Sequence, residues 1–186
     1  MNRRRDLRSV LLIAVLTFFP GCYREPAPPA AEPAPPAVAE SPLIAIKNAR
    51  VPLDGVLSGG QPTEEEIERV ARAGFKTVVN LRTEGERGSW DEEPAVTALG
   101  MRYLPLPVEG ADGITVENAA RLAEVLADDE LKPLFVHCGS GNRVGALFAM
   151  KAFHLDGEDA ETALEIGRAA GLTRLEPAVV ERLKAP

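Results

Sequence analysis

The sequence predicts an α/β fold of three layers, a mainly parallel central sheet flanked by helices. Three observations carry that expectation. Strand-like and helix-like segments alternate along the chain, the order that yields a parallel sheet with helices on its faces. The strand-like segments "FKTVVNL" and "KPLFVHC" are almost continuously apolar, as strands covered on both faces must be. The helix-like segments carry their own start and stop residues, so the alternation is punctuated rather than blurred.

Element by element, "NARVPLDGVLSGGQP" reads as one or two short strands closed by a turn at Gly59 and Gly60. "TEEEIERVARAG" is a helix with Thr63 as N-cap, Glu66 as capping-box partner and Gly74 as stop. Ile67, Val70 and Ala71 recur at helical spacing and supply its buried stripe. "FKTVVNL" follows as a buried strand, "EEPAVTALG" as a short helix ending at Gly100, and "MRYLPLPV" as a strand with a proline-marked exit. "TVENAARLAEVLAD" is a helix and "KPLFVHC" the next buried strand. "RVGALFAMKAFHL" is a strongly apolar helix, and "DAETALEIGRAAG" and "EPAVVERLK" complete the series. No internal repeat is visible.

The predicted domain occupies residues 43–186. Before it, Arg3, Arg4, Arg5 and Arg8 precede an apolar run from Val10 to Phe19. That is a positive region followed by about ten apolar residues, too short to span a bilayer and suited to a secretory signal over residues 1–21. "FFPGC" resembles the bacterial lipoprotein signal, with Gly21 before a lipidatable Cys22, although Phe19 and Pro20 depart from the usual leucine and small residue. Cleavage without lipidation and an uncleaved anchor stay open. Each of the three exports the folded part to a periplasmic or cell-envelope face, with a lipid on Cys22 as the expected link to a membrane. Residues 22–42 are dense in proline and alanine, have too few apolar side chains for a core, and read as an extended tether.

The chain has 186 residues, 45% hydrophobic and 26% charged, in the range of a folded globular domain. Its formal net charge of −7 argues against a nucleic-acid partner, whose footprint is a basic patch. A small anion can still be bound, because a site can be locally positive on an acidic protein. Two cysteines and two histidines, scattered as they are, do not make a zinc cluster, so no metal and no cofactor is expected.

The chemistry concentrates in "FVHCGSGNRVG", residues 135–145. It places Cys138 and Arg143 at the two ends of a loop between a buried strand and a buried helix. Gly139 and Gly141 permit backbone angles that turn N–H groups inward, and the following helix adds the positive end of its dipole. Arg143 can grip two phosphate oxygens at once. The same donors stabilise a Cys138 thiolate, the form that acts as a nucleophile. In an α/β sheet ligands bind beyond the carboxyl ends of the strands, where this loop lies.

"VHCGSGNRVG" resembles the His-Cys-x5-Arg signature of cysteine-based phosphatases, with four intervening residues instead of five. Together with "SGGQPTEEEIERVARAGFKTVVNLRTEGE" and "YLPLPV", it is similar to the bacterial beta-lactamase-hydrolase-like phosphatase domains, relatives of dual-specificity and tyrosine phosphatases. The likeness runs from about Leu57 to about Gly171. It implies a dual-specificity phosphatase-like fold and hydrolysis of phosphate monoesters, on a protein or a small molecule, through a cysteinyl-phosphate. Cys138 matches the nucleophile and Arg143 the phosphate-gripping arginine. Gly139, Ser140, Gly141 and Asn142 match the loop whose amides bind the oxyanion. The family's general acid is an aspartate on an earlier loop; Asp112 in "VEGADGIT" is the candidate and Glu109 the alternative, while a merely structural Asp112 would shape the turn at Gly113.

Two departures keep rival readings open. Val144 stands where a Ser or Thr hydroxyl would help the thiolate leave, which predicts slow breakdown of the intermediate. The short loop is also the length found in rhodaneses, so a sulfurtransferase carrying a persulfide on Cys138 is the alternative enzyme. A non-catalytic anion-binding module is the third reading. A lone cysteine at a strand end is commonly a small buried hydrophobe; the glycines and the arginine point to a functional thiol instead. His137 is expected to order the loop, and His154 to lie at the surface or cap a helix. Arg82 either reaches the substrate from a strand end or forms an ion pair with Glu84 or Glu86. Trp90 either covers the site or pins a loop.

Overall fold

A computed structural model describes residues 46–86 and 90–184. The expected signal segment, the lipidation site Cys22 and the tether at 22–42 lie outside the described residues.

Among the described residues the strands are β1 (Arg50–Leu53), β2 (Val56–Gly59), β3 (Thr77–Asn80), β4 (Arg102–Pro105) and β5 (Leu134–His137). The helices are α1 (Glu64–Arg72), α2 (Glu92–Ala98), α3 (Val116–Ala127), α4 (Asn142–His154), α5 (Ala160–Ala169) and α6 (Glu176–Lys184). The sheet order is β1-β2-β5-β3-β4, parallel throughout except for the β1–β2 pair at one edge. The α/β architecture with a mainly parallel sheet is the one expected from the alternation of segments.

Side chains of successive strand residues point to opposite faces, and two core clusters follow from that alternation. Leu57, Val78 and Phe135 pack on one face with Ile67 and Val70 of α1 and Val96 of α2. Val56, Val79 and Val136 pack on the other with side chains of α3, α4, α5 and α6. The central strands β2, β3 and β5 are buried along their whole length, which is why their sequences are nearly free of charge. Ala71 is only half-buried at the margin of its cluster.

Local chemistry sets the helix ends. Thr63 Oγ1 accepts from Glu66 N at 3.2 Å and Glu66 Oε2 accepts from Thr63 N at 2.8 Å, a complete capping box. Such a cap is worth about 1 kcal/mol. Helix α4 is buried on nearly every side and meets α5 so closely that a Cβ on Gly145 would overlap the Gly167 carbonyl oxygen, and the Leu172 backbone nitrogen just beyond α5.

One expectation is corrected. Gly59 and Gly60 do not close a turn: Gly59 ends β2, and Gly60 forms an isolated bridge with Ser140. The β1–β2 reversal is at Asp54 and Gly55, where Gly55 has φ +72°. The double glycine serves close approach instead. A Cβ on Gly59 would come within 2.9 Å of Ile46, and one on Gly60 within 3.0 Å of the Lys47 carbonyl and 3.3 Å of Ser140.

Candidate functional site

β5 lies between β2 and β3, so the loop after β5 is flanked by the chain leaving β2 and the chain leaving β3. Cys138 N donates to Gly59 O at 3.3 Å, and the Gly60–Ser140 bridge continues the contact. Gly141, with φ +82°, is the N-cap of α4; a side chain there would be strained and would meet Asn48 Nδ2 at 3.0 Å. The first N–H groups of α4 have no partner inside the helix and project from its positive end toward the loop.

Cys138 is 1% exposed, at the floor of a cavity of about 390 Å³. Ser140, Asn142 and Arg143 share its wall with Glu86 from the segment after β3. Gly110 and Ala111, before α3, and Arg174 and Leu175, between α5 and α6, complete it. Three loops distant in sequence thus meet over the thiol.

Arg143 is 7% exposed and its orientation is imposed from several directions. Nη1 donates to Glu86 Oε2 at 2.7 Å and to Val108 O at 2.6 Å, with Leu81 O at 3.4 Å; Nη2 donates to Glu86 Oε1 at 2.6 Å. Of the five N–H groups of a guanidinium, these contacts leave Nε–H and the adjacent second hydrogen of Nη2. That pair is the side-on edge, itself shaped to hold two oxygens of an anion.

Glu86 is in turn held by Thr83, whose N and Oγ1 donate to Oε2 at 3.0 and 3.1 Å. The Arg143 contact, opposed by partial burial and aided by Thr83, lowers the Glu86 pKa from 4.5 to about 2. Glu86 is therefore a fixed carboxylate near neutral pH and not a proton donor. Burial works against the charge on Arg143, but Glu86 and Cys138 outweigh it and raise the arginine pKa above its ordinary value.

His137 is fully buried and its Nε2 lies 2.6 Å from Glu92 Oε1, an electrostatic contact without the alignment of a hydrogen bond. Glu92 Oε2 accepts from Asn80 Nδ2 at 2.9 Å, and the same nitrogen reaches Tyr103 Oη at 2.9 Å. Asn80 Oδ1 accepts from Arg82 N at 2.8 Å. This network ties the ends of β3 and β5 together beneath the loop.

Asp112 and Glu109 lie in the turn before α3, both exposed, and it is their neighbours Gly110 and Ala111 that line the cavity. The turn is held by Gly113 N–H to Glu109 O at 2.7 Å, by Asn118 Nδ2 to Gly113 O at 2.8 Å and by Arg182 Nη2 to Ala111 O at 2.7 Å. A Cβ on Gly113 would overlap the Glu109 nitrogen. The carboxylate of Asp112 takes no part in those bonds.

Arg82 is 5% exposed and forms no hydrogen bond or ion pair through its guanidinium among the described residues. The ion pair of this segment joins Glu86 to Arg143 instead. Trp90 packs against the core cluster of α1 and α2 and is absent from the cavity wall. Val144 is fully buried under the loop, in the core shared by α3 to α6. His154 ends α4 and meets Phe153 edge to face at 4.9 Å. Two site residues escaped sequence reasoning. Glu86 was visible only as a neighbour of Arg82, and Arg174 carried no signal beyond its place in a connecting segment.

Comparison with known proteins places this geometry in a family. A family model described as a DSP-PTPase phosphatase fused to NAD+ kinase matches residues 50–174. A beta-lactamase hydrolase-like protein of Xylella fastidiosa is 33% identical over 117 residues, 60% of this chain and 26% of the relative. NAD kinase 2, chloroplastic, of Arabidopsis thaliana is 26% identical over 86 residues, 45% of this chain and 9% of the relative. The chain thus matches only about a quarter of the bacterial relative's length. Among solved structures, a DUF442 protein of Shewanella putrefaciens aligns with TM-score 0.60 at 20% identity, over 78% of this chain and 96% of its own. P. aeruginosa TpbA, crystallised in complex with pTyr, aligns with TM-score 0.56 at 20% identity, over 79% and 92%.

Proposed function

This chain belongs to the DSP-PTPase phosphatase family, and on that premise we propose that it hydrolyses phosphate monoesters through a cysteinyl-phosphate on Cys138. The observation that carries the reading is the pairing of a floor thiol with an arginine whose end is clamped by Glu86 and Val108, leaving its side-on edge for an oxyanion.

The Cys138 thiolate attacks phosphorus while the bond to the leaving oxygen breaks. Arg143 and the amides at the start of α4, with those of the Gly139–Asn142 loop, hold the three equatorial oxygens. Asp112 gives a proton to the leaving oxygen, with Glu109 as the alternative acid from the same turn. Water then attacks the cysteinyl-phosphate, passes its proton to the Asp112 carboxylate, and releases inorganic phosphate and the thiolate. Two facts support Asp112 over a structural role: the turn is closed by other groups, and its neighbours line the cavity. His137 orders the strand end through Glu92, and Arg82 adds positive charge at the end of β3. Buried Val144 offers no hydroxyl to the departing sulfur, so breakdown of the intermediate is the slow step.

A second reading rests on loop length. Four residues between Cys138 and Arg143 make a tight ring that suits a persulfide, and a sulfurtransferase would use the same cradle. Purified protein and Cys138→Ser, assayed on an aryl phosphate and on thiosulfate with cyanide, separate the two. Phosphate release from the wild type that falls at least ~10³-fold in the variant supports the phosphatase. Thiocyanate production without phosphate release overturns it in favour of sulfur transfer; anion binding with neither activity leaves a binding module.

The same proposal extends to location: the domain is exported and held at the periplasmic or cell-envelope face by a lipid on Cys22. Labelling with a radioactive fatty acid that survives Cys22→Ser would remove the anchor from the account.

A further inference from the structure

Arg174 extends the site beyond the phosphate cradle. It lines the cavity from the segment between α5 and α6, is exposed, and forms no hydrogen bond or ion pair among the described residues. Its position is nevertheless imposed by the catalytic loop. Asn142 Oδ1 accepts from Thr173 N at 2.8 Å and from Leu175 N at 3.3 Å, gripping the backbone on both sides of Arg174. Asn48 Nδ2 makes a second tie, to Ser140 O at 3.2 Å and Gly171 O at 3.1 Å. A cation without a partner among the described residues is thus mounted on a backbone tied to the loop that follows Cys138.

The charges on the wall give this cation a task. Among the described residues, Glu86, Arg143 and Arg174 are the formally charged ones lining the cavity. Glu86 pairs with Arg143 through two bonds, whereas Arg174 has no such partner among the described residues. A phosphate dianion held by Arg143 does not need a second arginine at the rim. A substrate with another anionic group beside the scissile phosphate does.

We propose that Arg174 is a specificity residue that binds a second anionic group, phosphate or carboxylate, on the leaving-group side of the substrate. The inference rests on the phosphatase reading for the position of the scissile phosphate. It predicts preference for phosphomonoesters with an acidic arm over the same ester with a neutral arm. A guanidinium without a competing carboxylate accepts either group, since both present paired oxygens.

The test uses 3-carboxyphenyl phosphate and its methyl ester, bound to Cys138→Ser with and without Arg174→Ala, by calorimetry. The preference for the free carboxylate should fall about fivefold in the double variant, equivalent to about 1 kcal/mol. Arg174→Lys should restore part of it, because charge survives while the fork is lost. An unchanged preference, or binding of neither ligand, overturns the assignment. Turnover of both esters by the Cys138 protein is measured alongside. Preference that depends on Arg174 without turnover of either ester would sink the phosphatase reading and keep Arg174; turnover with a preference indifferent to Arg174 would do the reverse.

Discussion

The loop 138–143 and the rim made by residues 109–113 and 173–175 face one cavity, yet their side chains are held in opposite ways. In the loop, Arg143 and Asn142 are buried and bonded to groups brought from β3, β4 and the α5–α6 segment. On the rim, the backbone is fastened just as firmly, but the side chains of Asp112 and Arg174 are exposed and have no partner among the described residues. Under the proposed phosphatase activity, the difference matches the two parts of a phosphomonoester. The phosphate never varies, so its cradle gains from preorganisation. The leaving group varies, and the proton it needs must come from a group not already committed to a bond.

The cradle is disturbed most severely from beneath. Gly145→Ala forces a methyl group into the Gly167 carbonyl of α5 and the Leu172 backbone just after it, and should destabilise the fold by about 3 kcal/mol, read as a lower urea midpoint. A midpoint within error of wild type would show that the α4–α5 contact is looser than described.

Next in size, Asp112→Asn should lower kcat/KM, which reports the step that expels the leaving group, about 10²-fold for a poor leaving group while anion binding stays within twofold. Equal loss with a phenol that needs no proton would remove Asp112 from acid catalysis. Glu86→Gln tests the clamp on the cradle side and should cost about tenfold in kcat/KM, through orientation of Arg143.

The same variant carries a pH signature. The folded pKa of Glu86 is depressed to about 2 from 4.5, so its contribution to stability is present above about pH 4.5 and is lost as pH falls toward 2. The wild type should therefore exceed Glu86→Gln in urea midpoint at neutral pH, with the gap closing below about pH 2. A gap independent of pH would mean that the effect is steric and not ionic. The smallest change is remote from both regions: Thr63→Ala removes the α1 cap and should cost about 1 kcal/mol with kcat unaltered.

Much of the scaffold is legible in the chain because it depends on local rules. The capping box at Thr63 and Glu66, the buried strands of β3 and β5, and the Cys138–Arg143 loop all follow from residues within a few positions of one another. The Gly59–Gly60 pair misleads for the same reason. Read locally, two glycines suggest a turn, whereas these admit Ile46, Lys47 and Ser140, segments that arrive from elsewhere. Glu86 shows the same limit. Arg82 is its sequence neighbour and the natural partner on paper, but Arg143, 57 positions away, takes both its oxygens.

Spacing and residue type alone set the succession of strands and helices, the capping box of α1, and the placing of Cys138 and Arg143 on one loop. Which distant segments stand over that loop is set by the packing of the whole fold. The placement of β5 between β2 and β3 brings Glu86 to Arg143, and the packing of α4 against α5 brings Arg174 to the cavity wall. Neighbours in a sheet are chosen by burial summed over both its faces, a property of the whole chain that no short stretch encodes.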